Sequence, residues 1–110
     1  MKIVNRGFLI VSPKKPFFDW ANNFEEDIYF NESDEVEPTV YLIEEDFIES
    51  EHVIKSHYKK IFLNELSMIT ENPEDHPEIS EQLFYEWFKV VDGTTVLDNL
   101  KSDLKRFDID

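Results

Sequence analysis

The sequence predicts an α+β fold, with a small mixed or antiparallel sheet of about three strands and three helices packed on one face. Two short runs of β-branched and aromatic residues, at 8–11 and 39–43, have the length and composition of strands. A longer stretch, residues 54–69, repeats apolar residues at helical spacing. The predicted order is β-α-(β)-β-α-α-β, in a single domain that spans all 110 residues.

The first strand is predicted at about residues 3–12. Phe8–Val11 is a short, continuous apolar run that ends at Ser12-Pro13, which is typical of a strand buried on both faces. Gly7 inside this strand indicates a bulge, or a place where another part of the backbone comes close.

The first helix is predicted at about residues 16–24, because Pro16 suits a first helical turn and apolar residues follow at i, i+3, i+4 and i+7. Asn22-Asn23 is expected to end it. The acidic run at residues 25–37 is predicted to be a loop that contains a short edge strand at Ile28–Phe30. Pro38 ends this loop, and Thr39–Ile43 is the second predicted strand.

The second helix is predicted from the most periodic segment of the chain. Ser50 is its expected N-cap, and Glu51 with Lys55 forms a favourable i, i+4 pair. The apolar residues that define its stripe are Ile54, Tyr58, Ile61, Phe62, Leu66 and Ile69.

A third helix is predicted to begin after the cap residue Ser80 and to end at Asp92-Gly93. Its apolar face consists of Leu83, Phe84, Trp87, Phe88 and Val91. Thr94–Leu97 is predicted as a further short strand. A terminal helix is expected to follow, because apolar residues recur at helical spacing at Leu97, Leu100, Leu104 and Phe107.

This order of elements, together with several local patterns, resembles a family of small acidic bacterial proteins with no assigned activity. The resemblance implies a compact bacterial cytosolic domain and brings no catalytic function with it. The patterns that carry it are Asn5-Arg6-Gly7-Phe8, Pro13, Pro16-Phe17-Phe18-Asp19-Trp20-Ala21-Asn22, Glu37–Ile43 and Glu86-Trp87-Phe88.

Charge is sorted into blocks along the chain. Residues 1–18 carry four bases and no acid, whereas residues 19–51 carry thirteen acids and no Lys or Arg. The net charge of −14 repels nucleic acid and anionic lipid, so we expect no direct nucleic-acid binding and no membrane association. Sixteen aromatic residues are expected to form the core that holds the fold against this repulsion.

Several classes of site are disfavoured by composition. The chain has no cysteine, which excludes disulfides, thiol nucleophiles and thiolate metal ligands. His52 and His57 are five residues apart, about 140° around a helix, and are not placed to chelate one ion. No catalytic motif or glycine-rich phosphate loop is present. We therefore expect no metal and no cofactor, and favour a protein without catalytic activity. No signal sequence or membrane span is recognisable, which predicts a cytoplasmic location.

The candidate binding residues surround the start of the first helix. Lys14 and Lys15 precede Pro16, where free N–H groups and the helix dipole attract anions, so a phosphate or carboxylate pocket is conceivable there. The alternatives are that these bases pair with the acidic block and that the tryptophan of this region packs in the core. The residues proposed for the pocket and its rim are Arg6, Lys14, Lys15, Trp20 and Asn22.

The leading functional hypothesis is a protein-binding module. In this hypothesis the acidic block attracts a basic protein partner, and exposed aromatic residues anchor that partner; the candidates are Tyr29, Phe30 and Tyr85.

Three alternatives stay open. A nucleic-acid-mimicking inhibitor ranks lower, because Lys55, Lys59 and Lys60 interrupt the acidic array. A domain that binds a small anion, or acts as an enzyme, at the start of the first helix is the second alternative. The simplest is a soluble domain whose acidity keeps it dispersed. The sequence does not specify an oligomeric state.

Overall fold

The computed structural model describes residues 1–24 and 37–109. It confirms the α+β class, with small antiparallel sheets and three α-helices in the described residues. A 3₁₀ turn at Pro73–Asp75 joins the second and third α-helices. The elements in chain order are β1 (Lys2–Val4), β2 (Gly7–Pro13), α1 (Lys15–Ala21), β3 (Thr39–Ile43), α2 (Ser50–Ser67), α3 (Glu81–Trp87), β4 (Phe88–Gly93) and β5 (Val96–Asp98).

The main sheet has the strand order β3-β2-β4, and both pairings are antiparallel. β1 and β5 form a separate antiparallel pair. The strand predicted at 3–12 is thus divided into β1 and β2, which correspond to two successive parts of one ribbon. Val4 pairs with Val96, and Phe8 pairs with Gly93. Three residues lie between Val4 and Phe8, whereas only two lie between Gly93 and Val96. One extra residue on one strand is the defining feature of a β-bulge.

Gly7 lies at this bulge and has backbone on two sides. A Cβ atom placed on Gly7 would lie 2.7 Å from the carbonyl oxygen of Glu44 and 3.0 Å from that of Gly93. Both features expected of Gly7 from the sequence, a bulge and a close backbone approach, are therefore present.

The core lies between one face of the main sheet and the three helices. Leu9 and Val11 of β2 are fully buried on this inner face. At the centre of the helical layer is the ring of Phe62, whose centroid lies 5.9 Å from that of Phe84 and 5.3 Å from that of Phe88. The predicted aromatic interior is therefore present. The other buried apolar residues are Phe17, Phe18, Ala21, Ile43, Val53, Ile54, Ile61 and Leu66.

The third helix is shorter than predicted. It ends at Trp87, and the chain continues at once as β4 instead of remaining helical as far as Val91. The reason is that all residues of the segment 88–93 pair with β2, from Phe88 opposite Pro13 to Gly93 opposite Phe8. Tertiary pairing of a β-branched and aromatic segment has overridden its helical spacing.

The C-terminal prediction is half right. The expected short strand is present as β5, but residues 99–109 contain no helix. Their apolar side chains Leu100, Leu104 and Phe107 are all exposed. A short helix without a surface on which to bury its apolar stripe is only marginally stable in water.

The helix caps agree in part with the sequence. Ser80 caps α3 as predicted, and its hydroxyl accepts a hydrogen bond from the Leu83 backbone N–H at 3.1 Å. Ser50 does not cap α2. It is the first helical residue, and its hydroxyl hydrogen-bonds to Asp92 of β4 instead. The short strand predicted at Ile28–Phe30 lies outside the described residues. None of the described helices has the length and apolarity that crossing a bilayer would need.

Candidate functional site

The basic residues singled out in the sequence do not converge on one pocket. Arg6 lies before the first residue of β2, whereas Lys14 and Lys15 follow its last residue. A strand of this length separates its two ends by roughly 20 Å. Arg6 donates a hydrogen bond to the neighbouring Asn5 carbonyl at 2.7 Å.

Lys14 and Lys15 have partners within the fold. The Lys14 ammonium group donates to the Tyr85 carbonyl at 2.9 Å, and the Lys14 backbone N–H donates to the Trp87 carbonyl at 2.7 Å. Lys15 forms an exposed ion pair with Asp19, with 2.9 Å between Nζ and Oδ2. Lys14 therefore ties the start of α1 to the end of α3.

The remaining predicted residues, Trp20, Asn22 and Tyr85, lie on α1 and α3 or at their ends. The Trp20 indole N–H donates to the Asp75 carbonyl at 3.0 Å, and its ring lies 5.9 Å from that of Trp87. Asn22 is exposed and caps the C-terminal end of α1. Tyr85 is exposed, and partial burial together with nearby acidic groups raises its pKa. A binding role for these residues remains a prediction.

A buried polar cluster between α2 and β3 was missed at the sequence level. Its centre is Glu65, which is only 2% exposed. Glu65 lies four residues after Ile61 and four before Ile69, so it occupies a position within the apolar stripe of its helix. An acid within such a stripe was the signal that could have identified it.

The cluster consists of neutral hydrogen-bonding partners around one carboxyl group. Tyr41 donates its hydroxyl hydrogen to Glu65 Oε2 at 2.9 Å and accepts one from the Asn64 side-chain amide, also at 2.9 Å. The Thr39 hydroxyl donates to the same carboxyl oxygen at 3.3 Å. No buried side-chain nitrogen or oxygen in the described residues lacks a partner.

Burial governs the protonation of this cluster. Desolvation raises the pKa of Glu65, and the hydrogen bonds from Tyr41 and Thr39 offset that effect only in part. Burial, with the carboxyl group beside it, also raises the pKa of Tyr41 far above its usual range. Tyr41 thus remains protonated as a donor. The arrangement fixes α2 in register over β3 and leaves the Glu65 carboxyl more basic than an ordinary one.

We expect Glu65→Gln to raise the free energy of unfolding at about pH 7 by about 1 kcal/mol. A carboxyl whose pKa is raised by folding stabilises the protein below its ordinary pKa of 4.5, and that stability is lost as the pH rises through the higher folded value. Glutamine keeps an acceptor without the charge. The gain should disappear at about pH 4, as measured by urea unfolding at both pH values.

The matched control is Glu78→Gln, which removes one charge from an exposed position outside the groove. It corrects for the general relief of repulsion in an acidic protein. If both substitutions change stability equally at both pH values, Glu65 does not carry a buried-charge penalty.

A groove of about 950 Å³ lies beside this cluster, between β3 and α2. Tyr41 and Asn64 contribute polar groups to it, and Leu63 and Met68 contribute apolar surface. At its edge, His57 Nε2 lies 2.7 Å from a carboxylate oxygen of Glu44. The pKa of Glu44 is lowered, first by a hydrogen bond from its own backbone and then by the one with His57.

The outer face of the main sheet, on the side opposite the helices, is apolar. Alternation along the strands places Phe8 and Ile10 of β2 on this face, because Leu9 and Val11 are buried on the inner one. Their direct neighbours across the sheet are Leu42 opposite Phe8 and, opposite Ile10, Val40 and Val91. Val40, Leu42 and Val91 are 56%, 51% and 45% exposed. We call these five residues the outer face.

Acidic residues lie at both ends of β3, the strand that borders the outer face. Glu37 precedes it, and Glu44, Glu45 and Asp46 follow it; all four are exposed. The described residues contain no group of three His, Asp or Glu side chains arranged to hold a metal ion. Comparison of the chain with models of protein families, with curated proteins and with solved structures gives no match.

Proposed function

We propose that the protein is a binding module that docks a basic partner protein on the outer face of its sheet. The observation that carries this proposal is that the strands of the main sheet are apolar on both faces, whereas the helices in the described part of the chain cover only the inner face. The partner would contribute apolar or aromatic side chains to the outer face, and Lys or Arg to the acidic residues around it.

The outer face is unusual for a sheet exposed to water. An antiparallel sheet with one solvated face normally alternates apolar residues inside with polar residues outside. Here the two central rows of the outer face carry Phe8, Ile10, Val40, Leu42 and Val91, and polar side chains appear only in the next row, at Ser12 and Lys89. Contiguous apolar surface of this kind marks interaction sites in soluble proteins.

Charge favours a basic partner over a second copy of the chain. A homodimer through the outer face would bring together two molecules of net charge −14, and like charges raise the free energy of association. A partner with Lys and Arg beside its apolar anchor would instead gain from Glu37 at one end of β3 and Glu44 at the other. Such complementarity chiefly increases the association rate and the selectivity.

The proposal is tested by selecting binders from a random peptide library displayed on phage. We expect the selected peptides to combine Lys or Arg with apolar or aromatic residues. Their affinity should fall about tenfold in a Val40→Thr, Val91→Thr double variant. It should also fall when salt is raised from about 0.05 M to about 0.5 M, because the acidic border is screened. Threonine keeps the β-branched shape, and its hydroxyl is solvated on this exposed face.

The control variant is Leu100→Ser, which alters an exposed apolar side chain outside the main sheet and outside the groove. Peptides without basic residues, or binding that only Leu100→Ser weakens, would contradict the proposal. Sedimentation of the unliganded protein provides a second check. A dimer that the double variant dissociates would assign the outer face to a second copy.

A further inference from the structure

The C-terminal segment, residues 99–109, runs back to the groove between β3 and α2. Phe107, Asp108 and Ile109 contribute to the lining of this groove together with Leu63 and Met68. Yet Phe107 is 81% exposed, and Leu63 and Met68 are also exposed. Apolar groups of the segment and of the groove therefore lie beside each other without burying one another.

The charge of the segment differs from that of the rest of the chain. Residues 99–109 carry three bases and two acids, whereas residues 1–98 carry eight bases and 22 acids. Lys105 and Arg106 directly precede Phe107, and the groove wall includes the exposed acid Glu71 as well as the exposed base Lys60. Attraction between these two bases and the acidic body favours a position of the segment close to the protein.

We infer that the C-terminal segment is an intramolecular strap, which docks in the groove with Phe107 as its anchor. Docking removes apolar surface of Phe107, Leu63 and Met68 from water. It also orders a segment whose backbone is irregular and in which the Leu100 backbone N–H donates a hydrogen bond to Asp98 Oδ1. The entropy cost opposes the apolar gain, so we expect the docked form to exchange with an open one.

This inference concerns the groove, which shares one residue, Leu42, with the outer face. It does not require the proposed partner, because the segment and the groove both belong to this chain. The strap covers Leu63 and Met68 when it is docked. The groove is then closed to other ligands, and its opening depends on salt because charge contributes to holding the strap.

The strap is tested by measuring the distance between two spin labels on the full-length protein. The chain has no cysteine, so Lys59→Cys on α2 and Ser102→Cys in the strap give two unique labelling sites. Both positions are exposed, and neither lines the groove. We expect a distance distribution with one narrow component and one broad component. Phe107→Ser should remove the narrow component.

Two matched variants separate docking from nonspecific effects. Phe107→Leu keeps an apolar anchor and should retain the narrow component. Leu100→Ser removes an exposed apolar side chain of the same segment that does not line the groove, and should leave the distribution unchanged.

Three results would overturn the inference. A broad distribution in the parent would show that the strap does not dock, and a narrow one unchanged by Phe107→Ser would show that something else orders the segment. A narrow component that disappears on dilution with unlabelled protein would place the strap on a second copy. None of these results requires peptide binding at the outer face, so the inference and the proposed function can fail separately.

Discussion

Phe62→Ala is expected to lower the free energy of unfolding by about 4 kcal/mol. Phe62 is fully buried, and its ring lies within 6 Å of those of Phe84, Trp87 and Phe88, at 5.9, 5.6 and 5.3 Å. These rings belong to α3 and β4, so the Phe62 side chain joins α2 to both. Removing it would leave a cavity at the meeting point of three elements.

The loss would be a large part of total stability, because domains of this size are stable by only about 5 to 15 kcal/mol. Urea unfolding followed by tryptophan fluorescence measures it, since Trp87 reports directly on this cluster. Leu63→Ala is the matched control, one residue along the same helix at a site that is 46% exposed. It should cost less than about 1 kcal/mol. Similar losses for the two variants would contradict the aromatic core as the main source of stability.

Gly7→Ala is expected to cost about 3 kcal/mol, or to prevent folding. The added methyl group would lie 2.7 Å from the Glu44 carbonyl oxygen and 3.0 Å from that of Gly93, both of which are backbone atoms. It would also lie 3.0 Å from the Phe47 ring. Relief therefore requires the chain on both sides of β2 to move, which would disturb the bulge and the pairing with β3.

Gly93→Ala provides the comparison, because its added methyl group would overlap only the Phe8 ring among its nearest atoms. That ring is a side-chain terminus on the partly exposed outer face, so it can rotate away. We expect the free energy of unfolding to fall by about 1 kcal/mol, because the Phe8 ring would no longer cover β4 at Gly93. Equal destabilisation by the two alanines, in the same urea titration, would show that the backbone approach at Gly7 is not the constraint.

The fold class and most elements could be predicted because local patterns and tertiary packing agree. Thr39–Ile43 is the observed β3, and the apolar stripe from Ile54 onwards defines α2. The errors occur where tertiary packing, and not the local sequence pattern, determines the secondary structure. Residues 88–93 have helical spacing but also the β-branched composition that pairing with β2 selects. The apolar side chains that recur from Leu97 to Phe107 are exposed in the structure, so no packing supports a helix there.

The candidate site was harder to predict, because it depends on which faces remain uncovered. The continuous apolar run Phe8–Val11 predicted burial on both faces, yet the helices cover only the inner one. The sequence could not show that the described helices leave the outer face exposed. The separation of Arg6 from Lys14, by contrast, follows directly from the length of the strand between them.

The most direct test of the binding function is an amide chemical-shift map of the protein with a peptide selected from the phage library. We predict that the perturbed residues are concentrated on the outer face, at Phe8, Ile10, Val40, Leu42 and Val91. The acidic residues at the ends of β3 should respond only at low salt. Perturbations centred on α1 or α2, with the outer face unchanged, would contradict a docking surface on this side of the sheet.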